Sequence, residues 1–136
     1  MKLVILMLVS SLNILAQDTE STELKKVMTS FAYSMELIQH GILHNDIDEM
    51  NRGSQMLKTV DEKFLLNHGK ALMKHTPNNP DFAKSYAKRT GKKIRDYADS
   101  LDKQIESGKQ SYSKMAATYT HILHECVGCH QKVRNR

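Results

Sequence analysis

The chain has few residues that cross-link or interrupt a small domain. Among its 136 residues are only two cysteines and two prolines. Both cysteines belong to one C-terminal motif, CVGCH at residues 126–130, which leaves none for a separate structural disulfide. The prolines, Pro77 and Pro80, lie together in the one strong break of the chain. Strand-like alternation, low-complexity segments and internal repeats are also lacking, so the pattern predicts an all-α domain.

Three further absences narrow the function. Outside the C-terminal motif there is no acid–base pair or nucleophile constellation, so we do not expect an enzyme. The formal net charge is +5, yet no basic run is longer than two residues, which argues against nucleic-acid binding. The apolar run from Leu3 to Ala16 is shorter than the roughly 20 residues that a membrane span needs, so no stable membrane span is expected.

The N-terminal segment predicts export. Lys2 precedes the apolar run, and Ala16 provides a small residue before Gln17, an arrangement typical of a secretory signal peptide. We therefore expect residues 1–16 to be removed and residues 17–136 to form the mature domain. A chain of about 120 residues is long enough for one modest hydrophobic core.

The motif at 126–130 is the attachment signature of a c-type haem. Cys126 and Cys129 are three residues apart, so on a helix both thiols face one way and can each bond one vinyl group of a single porphyrin. His130 follows directly and can offer its imidazole to the iron as proximal ligand. We therefore predict one covalent haem c. Such attachment takes place on the outer side of the bacterial cytoplasmic membrane, which agrees with the expected export and predicts a periplasmic protein.

Other uses of two cysteines at this spacing need a different setting. A thioredoxin-like redox pair should lie near a strand–helix–strand unit, and a structural zinc site needs a second Cys/His pair at a suitable spacing. Neither setting is evident in the sequence. In an exported chain the two thiols could also form a disulfide. The adjacent His130 favours haem over that disulfide.

Apolar residues recur every three or four positions in four segments, which predicts four amphipathic helices. Asp46 with Glu49 has the pattern of a capping box, and Asn79-Pro80 suits a helix start. Short connections between such helices predict an antiparallel up-down-up-down four-helix bundle. The expected helices run from about Ser21 to His44, from Asp46 to about His75, from Pro80 to the break at Ser107-Gly108, and from about Gln110 to Val133.

The haem motif continues the inner stripe of the fourth helix near its C-terminal end. In an antiparallel bundle that end lies beside the start of the first helix, the end of the second and the start of the third. We therefore expect the haem to contact residues 24–31, 64–75 and 82–91. Four aromatic residues in these segments would exclude water from the haem and raise its reduction potential. They are Phe31, Phe64, Phe82 and Tyr86.

The chain resembles the class II cytochromes c, the family that contains cytochrome c prime and its low-spin relatives. The resemblance rests on four predicted helices after a signal peptide, on a haem motif close to the C-terminus, and on Val27-Met28 followed by Met35 in the first helix. Val133 stands where many members have an aromatic residue, and Leu24 where many have an arginine close to a haem propionate. The resemblance implies a four-helix haem protein, and it allows a homodimer through the first two helices.

The group on the far side of the iron decides between two functions. Met28 is the first candidate for sixth ligand, because it lies on the inner stripe and the resemblance places the ligand of low-spin members there. Met35, about 10.5 Å further along the helix axis, is expected to lie too deep. Methionines on apolar stripes also commonly fill cores. A bound thioether suits an electron carrier that serves redox partner proteins, which is the function we expect. The alternative is a five-coordinate haem protein that binds nitric oxide or carbon monoxide.

The other histidines are given lesser roles. His68 and His75 in the second helix are minor alternatives for the sixth ligand. The pair His40 and His44 has the spacing of metal ligands but no obvious third ligand, so we expect it to be solvated. The histidines at 121 and 124 fall beside the inner stripe and are expected at the surface.

Overall fold

Four α-helices make up the part of the chain that the computed structural model describes. This part comprises residues 2–67, 80–109 and 111–134, with side chains described for 22–60, 81–109 and 111–132. Within it there is no strand, so the all-α prediction is confirmed. The helices are α1 (Lys2–His44), α2 (Ile47–Asn67), α3 (Pro80–Glu106) and α4 (Tyr112–Arg134).

Helix α1 begins earlier than the sequence pattern predicted, at Lys2 instead of near Ser21. Neither proline nor glycine occurs before Gly41, and the apolar residues of this segment are compatible with a helix, so nothing local ends it. The expected signal peptide lies within the first part of α1, and its removal stays a prediction. In the residues that the structure describes, no helix has both the length and the apolar character needed to cross a membrane.

The connection between α1 and α2 is held by local hydrogen bonds. Asn45 has a φ of 58°, in the left-handed region that asparagine tolerates better than most residues. The Asp46 N–H donates to the Gly41 carbonyl at 2.8 Å, which closes the end of α1. The Asp46 carboxylate accepts the Glu49 N–H at 2.9 Å and caps α2. The predicted helix start at Asp46 is therefore confirmed. The expected end of the second helix near His75 and the cap at Asn79 lie outside the described residues.

Helix α2 packs directly against the backbone of α1 at Gly53. A Cβ atom at this position would lie 2.8 Å from the Ser34 carbonyl oxygen and 2.8 Å from Ile38 Cγ1. Since real Cβ atoms do not approach other atoms so closely, only glycine allows this helix separation. The absent side chain at Gly53 thus fixes how near α2 lies to α1.

The hydrophobic core draws residues from all four helices. Helix α1 contacts α2 and α4, and α3 contacts the same two helices. Burial of this apolar surface is the main favourable contribution to folding. The buried residues of this main cluster are Met35, Ile38, Met50, Leu57, Ile94, Ala98, Leu101, Met115 and Ile122.

A buried carboxylate joins α2 to α3. Asp102 accepts hydrogen bonds from Ser54 Oγ at 2.5 Å and from Gln55 Nε2 at 2.9 Å. It also accepts a hydrogen bond from the Lys58 ammonium, and that bond is the main cause of a raised pKa of Lys58. Ser54 Oγ lies 3.1 Å from the Ala98 carbonyl oxygen as well. Because the charge of Asp102 is paired and fully hydrogen-bonded, its burial is tolerated and specifies how the two helices align.

We predict that Asp102→Asn lowers the free energy of unfolding by about 1–3 kcal/mol, because an amide N–H would face the donors of Gln55 and Lys58. The exposed Asp96 lies on the same helix, and Asp96→Asn is the matched control with little expected change. Urea unfolding followed by circular dichroism gives both values.

The same ion pair predicts a pH dependence. The pKa of Lys58 is raised above 10.5 in the folded state, so its contribution to stability is present below that pH and is lost as the pH rises through the raised value. The difference in stability between wild type and Asp102→Asn should therefore shrink between about pH 9 and about pH 12, with most of the change above pH 10.5. A difference that stays constant over this range would contradict the assigned role of Lys58.

Candidate cofactor site

Helix α4 directs both cysteines toward the interior. Met115 and Ile122 on the same helix are fully buried in the main cluster, and Cys126 packs against that cluster one turn further on. Cys129 follows on the next turn. Both cysteines are half-buried, and neither is in a disulfide. The predicted continuation of the inner stripe through the motif is therefore confirmed.

A second, smaller apolar cluster includes Cys129. Its buried centre is formed by Ala83 and Ala87 of α3. No member carries a charged side chain, and the members come from α1, α3 and α4. We call it the cysteine-end cluster, and it consists of Leu24, Val27, Met28, Phe31, Ala83, Tyr86, Ala87 and Cys129. Four of the predicted site residues, Met28, Phe31, Tyr86 and Cys129, are thus brought together.

The two methionines of the first helix lie in different surroundings. Met28 is half-buried in the cysteine-end cluster, whereas Met35 is buried in the main cluster. Phe31, between them in the sequence, packs against both clusters. Of the two, only Met28 therefore shares a cluster with Cys129, as its position along the helix predicted.

Tyr86 links α3 to the turn of α4 that carries the cysteines. A Cβ atom built on Gly128, which lies between the two cysteines, would be 3.7 Å from Tyr86 Oη. The Phe82 and Tyr86 rings have centroids 5.7 Å apart, and the Arg89 guanidinium lies 5.0 Å from the centroid of Tyr86. Phe82 is half-buried and reaches the cluster through its contact with Tyr86. Both aromatic residues predicted on α3 therefore lie at this site.

His130 is exposed at the C-terminal end of α4. It follows Cys129 directly, so its imidazole leaves the helix beside the second cysteine. Of the other residues assigned to this site, His68 and His75 lie outside the described residues, and the side chain of Phe64 is not described either.

The environment of the two thiols favours their protonated form. Burial raises the pKa of Cys126 to about 11, with smaller contributions from Cys129 and Glu125. Burial also raises the pKa of Cys129, and Glu125 contributes again. The Glu125 carboxylate accepts a hydrogen bond from Lys93 Nζ at 2.8 Å, which holds it at the edge of the site. At neutral pH both cysteines are therefore neutral thiols.

Tyr119 is a neighbour of the site to which the sequence analysis gave no role. Its pKa is raised, first by burial and then by the proximity of Cys126. Its hydroxyl donates to Gln39 Oε1 at 3.4 Å, which ties α4 to α1. Tyr119 precedes Cys126 by seven residues on the same stripe, and this spacing was the signal that could have identified it.

The histidines outside the motif do not form a metal centre in the described part of the chain. His40 and His44 are exposed with ring centroids 4.0 Å apart, and His40 Nδ1 forms a hydrogen bond with Glu49. His121 is exposed and stacks on Tyr97 with centroids 5.2 Å apart. Among the described residues, no group of three histidine, cysteine or acidic side chains is arranged to hold a metal ion.

The donor set suits a covalently held porphyrin. Two half-buried thiols lie three residues apart on one helix, an imidazole follows, and the second thiol belongs to a cluster of uncharged side chains from three helices. Thioether carbon–sulfur bonds and an apolar surround are what a c-type haem needs from its protein. Comparison of the chain with protein-family models, with curated proteins and with solved structures found no match.

The raised pKa values predict slow thiol chemistry in the folded chain when no group is attached. With a pKa of about 11 in place of 9.0, the thiolate fraction of Cys126 at neutral pH is lower by about 100-fold. Alkylation by iodoacetamide, followed by mass spectrometry, should be correspondingly slower in the folded Cys129→Ser variant than in the same variant in urea. Equal rates in the two states would contradict the assigned environment.

Proposed function

We propose that this protein is an exported, periplasmic monohaem c-type cytochrome of the class II kind that carries one electron at a time between redox partner proteins. The observation that carries the proposal is that Cys129, Met28, Phe31 and Tyr86 all pack against the same two buried residues, Ala83 and Ala87, in the cysteine-end cluster. This cluster combines an attachment thiol, a thioether and aromatic side chains, drawn from three helices that are far apart in the sequence.

Each residue has a role that follows from its chemistry. Cys126 and Cys129 would hold the haem through thioether bonds, and His130 would be the proximal ligand of the iron. The haem supplies one-electron chemistry through the Fe(III)/Fe(II) couple. The uncharged side chains of the cysteine-end cluster exclude water, which disfavours the extra charge of the ferric state and raises the reduction potential.

Met28 is the proposed sixth ligand. Its side chain is half-buried and packs with uncharged residues in the cysteine-end cluster. A thioether from Met28 bound in both oxidation states would favour the ferrous state and would keep the change in structure on electron transfer small. That small change in structure is what distinguishes an electron carrier from the gas-binding alternative.

The proposal includes an antiparallel up-down-up-down bundle with the haem near the C-terminal end of α4. Contacts between successive helices support this order. Gly53 packs on Ile38, Lys58 pairs with Asp102, and Tyr97 stacks on His121. In an antiparallel arrangement the end of α4 lies next to the early part of the first helix and the start of α3, the segments that supply the cysteine-end cluster.

Covalent attachment is the first test. The full chain is expressed in a bacterial host that attaches haem c, and haem is measured after denaturation and acid–acetone extraction. Wild type should retain one haem, and Cys126→Ala with Cys129→Ala should retain none, because no carbon–sulfur bond remains. Val127 is exposed between the cysteines, so Val127→Ala is the matched control and should retain haem. Haem that survives extraction from the double variant would refute the proposal.

The spin state of the iron tests the role of Met28. Wild-type protein should give low-spin optical spectra in both oxidation states. Met28→Leu keeps the apolar volume but removes the sulfur, so it should become high-spin and bind carbon monoxide more readily. Met35→Leu makes the same change in the main cluster and should stay low-spin. A wild-type protein that is already high-spin would overturn the carrier and favour the five-coordinate, gas-binding protein.

A further inference from the structure

The charged residues of α3 are divided between its two halves. Residues 81–95 include six basic and one acidic side chain, whereas residues 96–106 include one basic and four acidic side chains. The basic half is also the half that supplies Ala83, Tyr86 and Ala87 to the cysteine-end cluster. Positive charge is therefore concentrated next to the proposed cofactor site.

Three lysines of this half form one exposed stripe. Lys84, Lys88 and Lys92 are spaced four residues apart and all are exposed. The neighbouring Lys93 forms an ion pair with Glu125, but no ion pair joins the three stripe lysines to another residue that the structure describes. Arg89 is exposed beside them over the Tyr86 ring. We call Lys84, Lys88, Arg89 and Lys92 the basic face.

The stability of α3 does not account for this pattern. Like charges four residues apart repel and destabilise a helix, and the stripe contains two such pairs in succession. Asp81, three residues before Lys84, and Asp96, four after Lys92, offset part of this repulsion at the two ends, but Lys88 has no acidic residue three or four positions away. An opposite charge supplied by another molecule would remove the repulsion. The basic face is therefore arranged as a binding surface would be, at a cost to the isolated helix.

The opposite end of the described protein has the opposite charge. Residues 32–60, at the end of α1 and the start of α2, include four acidic and two basic side chains. Together with the acidic half of α3 they outnumber the basic residues at this end, including Lys109 and Lys114 near the start of α4, so the protein has a basic pole and a weaker acidic pole. Such a field orients an approaching charged molecule before contact and accelerates productive encounters.

We propose that the basic face docks an acidic surface patch of a redox partner protein. The inference rests on the proposed function, since it brings the partner to the helix that borders the proposed haem. Carboxylates on the partner would pair with the lysine ammonium groups and with Arg89, and this pairing would set the association rate more than the final affinity.

The surface chemistry favours a protein partner over a lipid membrane. Helices that bind anionic membranes combine a basic face with exposed apolar side chains that insert between lipids. The large exposed apolar residues among the described side chains are Tyr33, Leu43, Leu123 and Val127, and none of them is on α3. The basic face therefore has the charge for an acidic surface without the apolar residues needed for insertion.

The test compares two triple variants with the same change in net charge. The first is Lys84→Glu with Lys88→Glu and Lys92→Glu at the basic face. The matched control replaces three exposed lysines away from the basic face, one within the acidic half of α3 and two beyond it, as Lys103→Glu, Lys109→Glu and Lys114→Glu. The probe is reduced flavodoxin, an acidic electron-transfer protein, mixed with the oxidised haem protein in a stopped-flow instrument. Circular dichroism and the unfolding midpoint check that each variant folds.

At low ionic strength the second-order rate constant should fall by about tenfold or more in the first variant and by less than about threefold in the control. The difference should disappear in high salt, because the Debye length shortens to about 3 Å at 1 M. A milder set with glutamine at positions 84, 88 and 92 should give an intermediate decrease. An equal decrease of the rate constant in the two triple variants would show that the reaction depends only on net charge, and would overturn the proposal.

Two further measurements exclude other occupants. If the basic-face variant loses binding to phosphatidylglycerol vesicles while its reaction with flavodoxin is unchanged, a membrane is the partner and the proposal is overturned. In sedimentation experiments without any other protein, wild type should self-associate no more than the basic-face variant does. If wild type forms dimers and the variant does not, a second copy of the chain is the partner and the docking proposal is overturned.

Haem content, measured on the same samples, separates this proposal from the proposed function. A preparation without attached haem would refute the proposed function. Binding of fluorescent poly-L-glutamate needs no haem, so it still tests the basic face in that case. Loss of this binding in the basic-face variant alone would support the docking surface, and equal binding by both variants would refute it.

Discussion

The burial of one stripe of α4 determines how this protein presents its two cysteines. Met115 and Ile122 are fully buried, so the rotation of α4 about its own axis is fixed by the core. Cys126 lies on the same stripe and packs against the same cluster, and Cys129 follows on the adjoining cluster. A rotation that exposed the thiols would also expose Ile122, and the hydrophobic effect opposes it. The core and the candidate site thus depend on the same packing.

Two contacts set the alignment of the remaining helices. Gly53 brings α2 into contact with the backbone of α1, and Asp102 ties α3 to α2 through Lys58 and two neutral donors. Both contacts lie away from the cysteine-end cluster. The cluster is therefore formed by the early part of the first helix and the start of α3, held in place by packing further along the same helices. Because these distant contacts align the helices, the cysteine-end cluster can combine side chains from three helices without hydrogen bonds or ion pairs inside the cluster.

The electrostatics of the protein divide into an interior and a surface part. Around the cysteines the described cluster is uncharged, and burial keeps the thiols neutral, with Cys126 at a pKa of about 11. Outside, the exposed lysines of α3 place positive charge along the border of the same region. Under the proposed function, the low-polarity interior would tune the haem, and the charged border would orient a partner toward it. The two requirements are met by opposite faces of one helix, which alternate with its period of 3.6 residues.

The sequence alone determined the features that depend on neighbouring residues. Three local signals lie where they were predicted: the cap at Asp46, the start of α3 at Pro80 and the break at Ser107-Gly108. What the CVGCH motif binds stays a prediction. Met28 was preferred to Met35 as sixth ligand because of the inner stripe and the family resemblance, and the rise of a helix placed Met35 too deep. Of the two, only Met28 shares a cluster with Cys129, and its bond to iron stays a prediction. The early start of α1 was not predicted, because an apolar run typical of a signal peptide is equally compatible with a continuous helix.

Only the tertiary structure decided which distant residues meet. Ser54 and Asp102 are 48 residues apart, and nothing in either segment indicates that a carboxylate there will be buried and paired. The same holds for Tyr119 and Gln39, which are 80 residues apart. Such contacts depend on the rotation and separation of whole helices, which are set by the packing of all four at once. Sequence periodicity specifies which face of a helix is buried, but the partner of each polar side chain is specified only when the helices are packed.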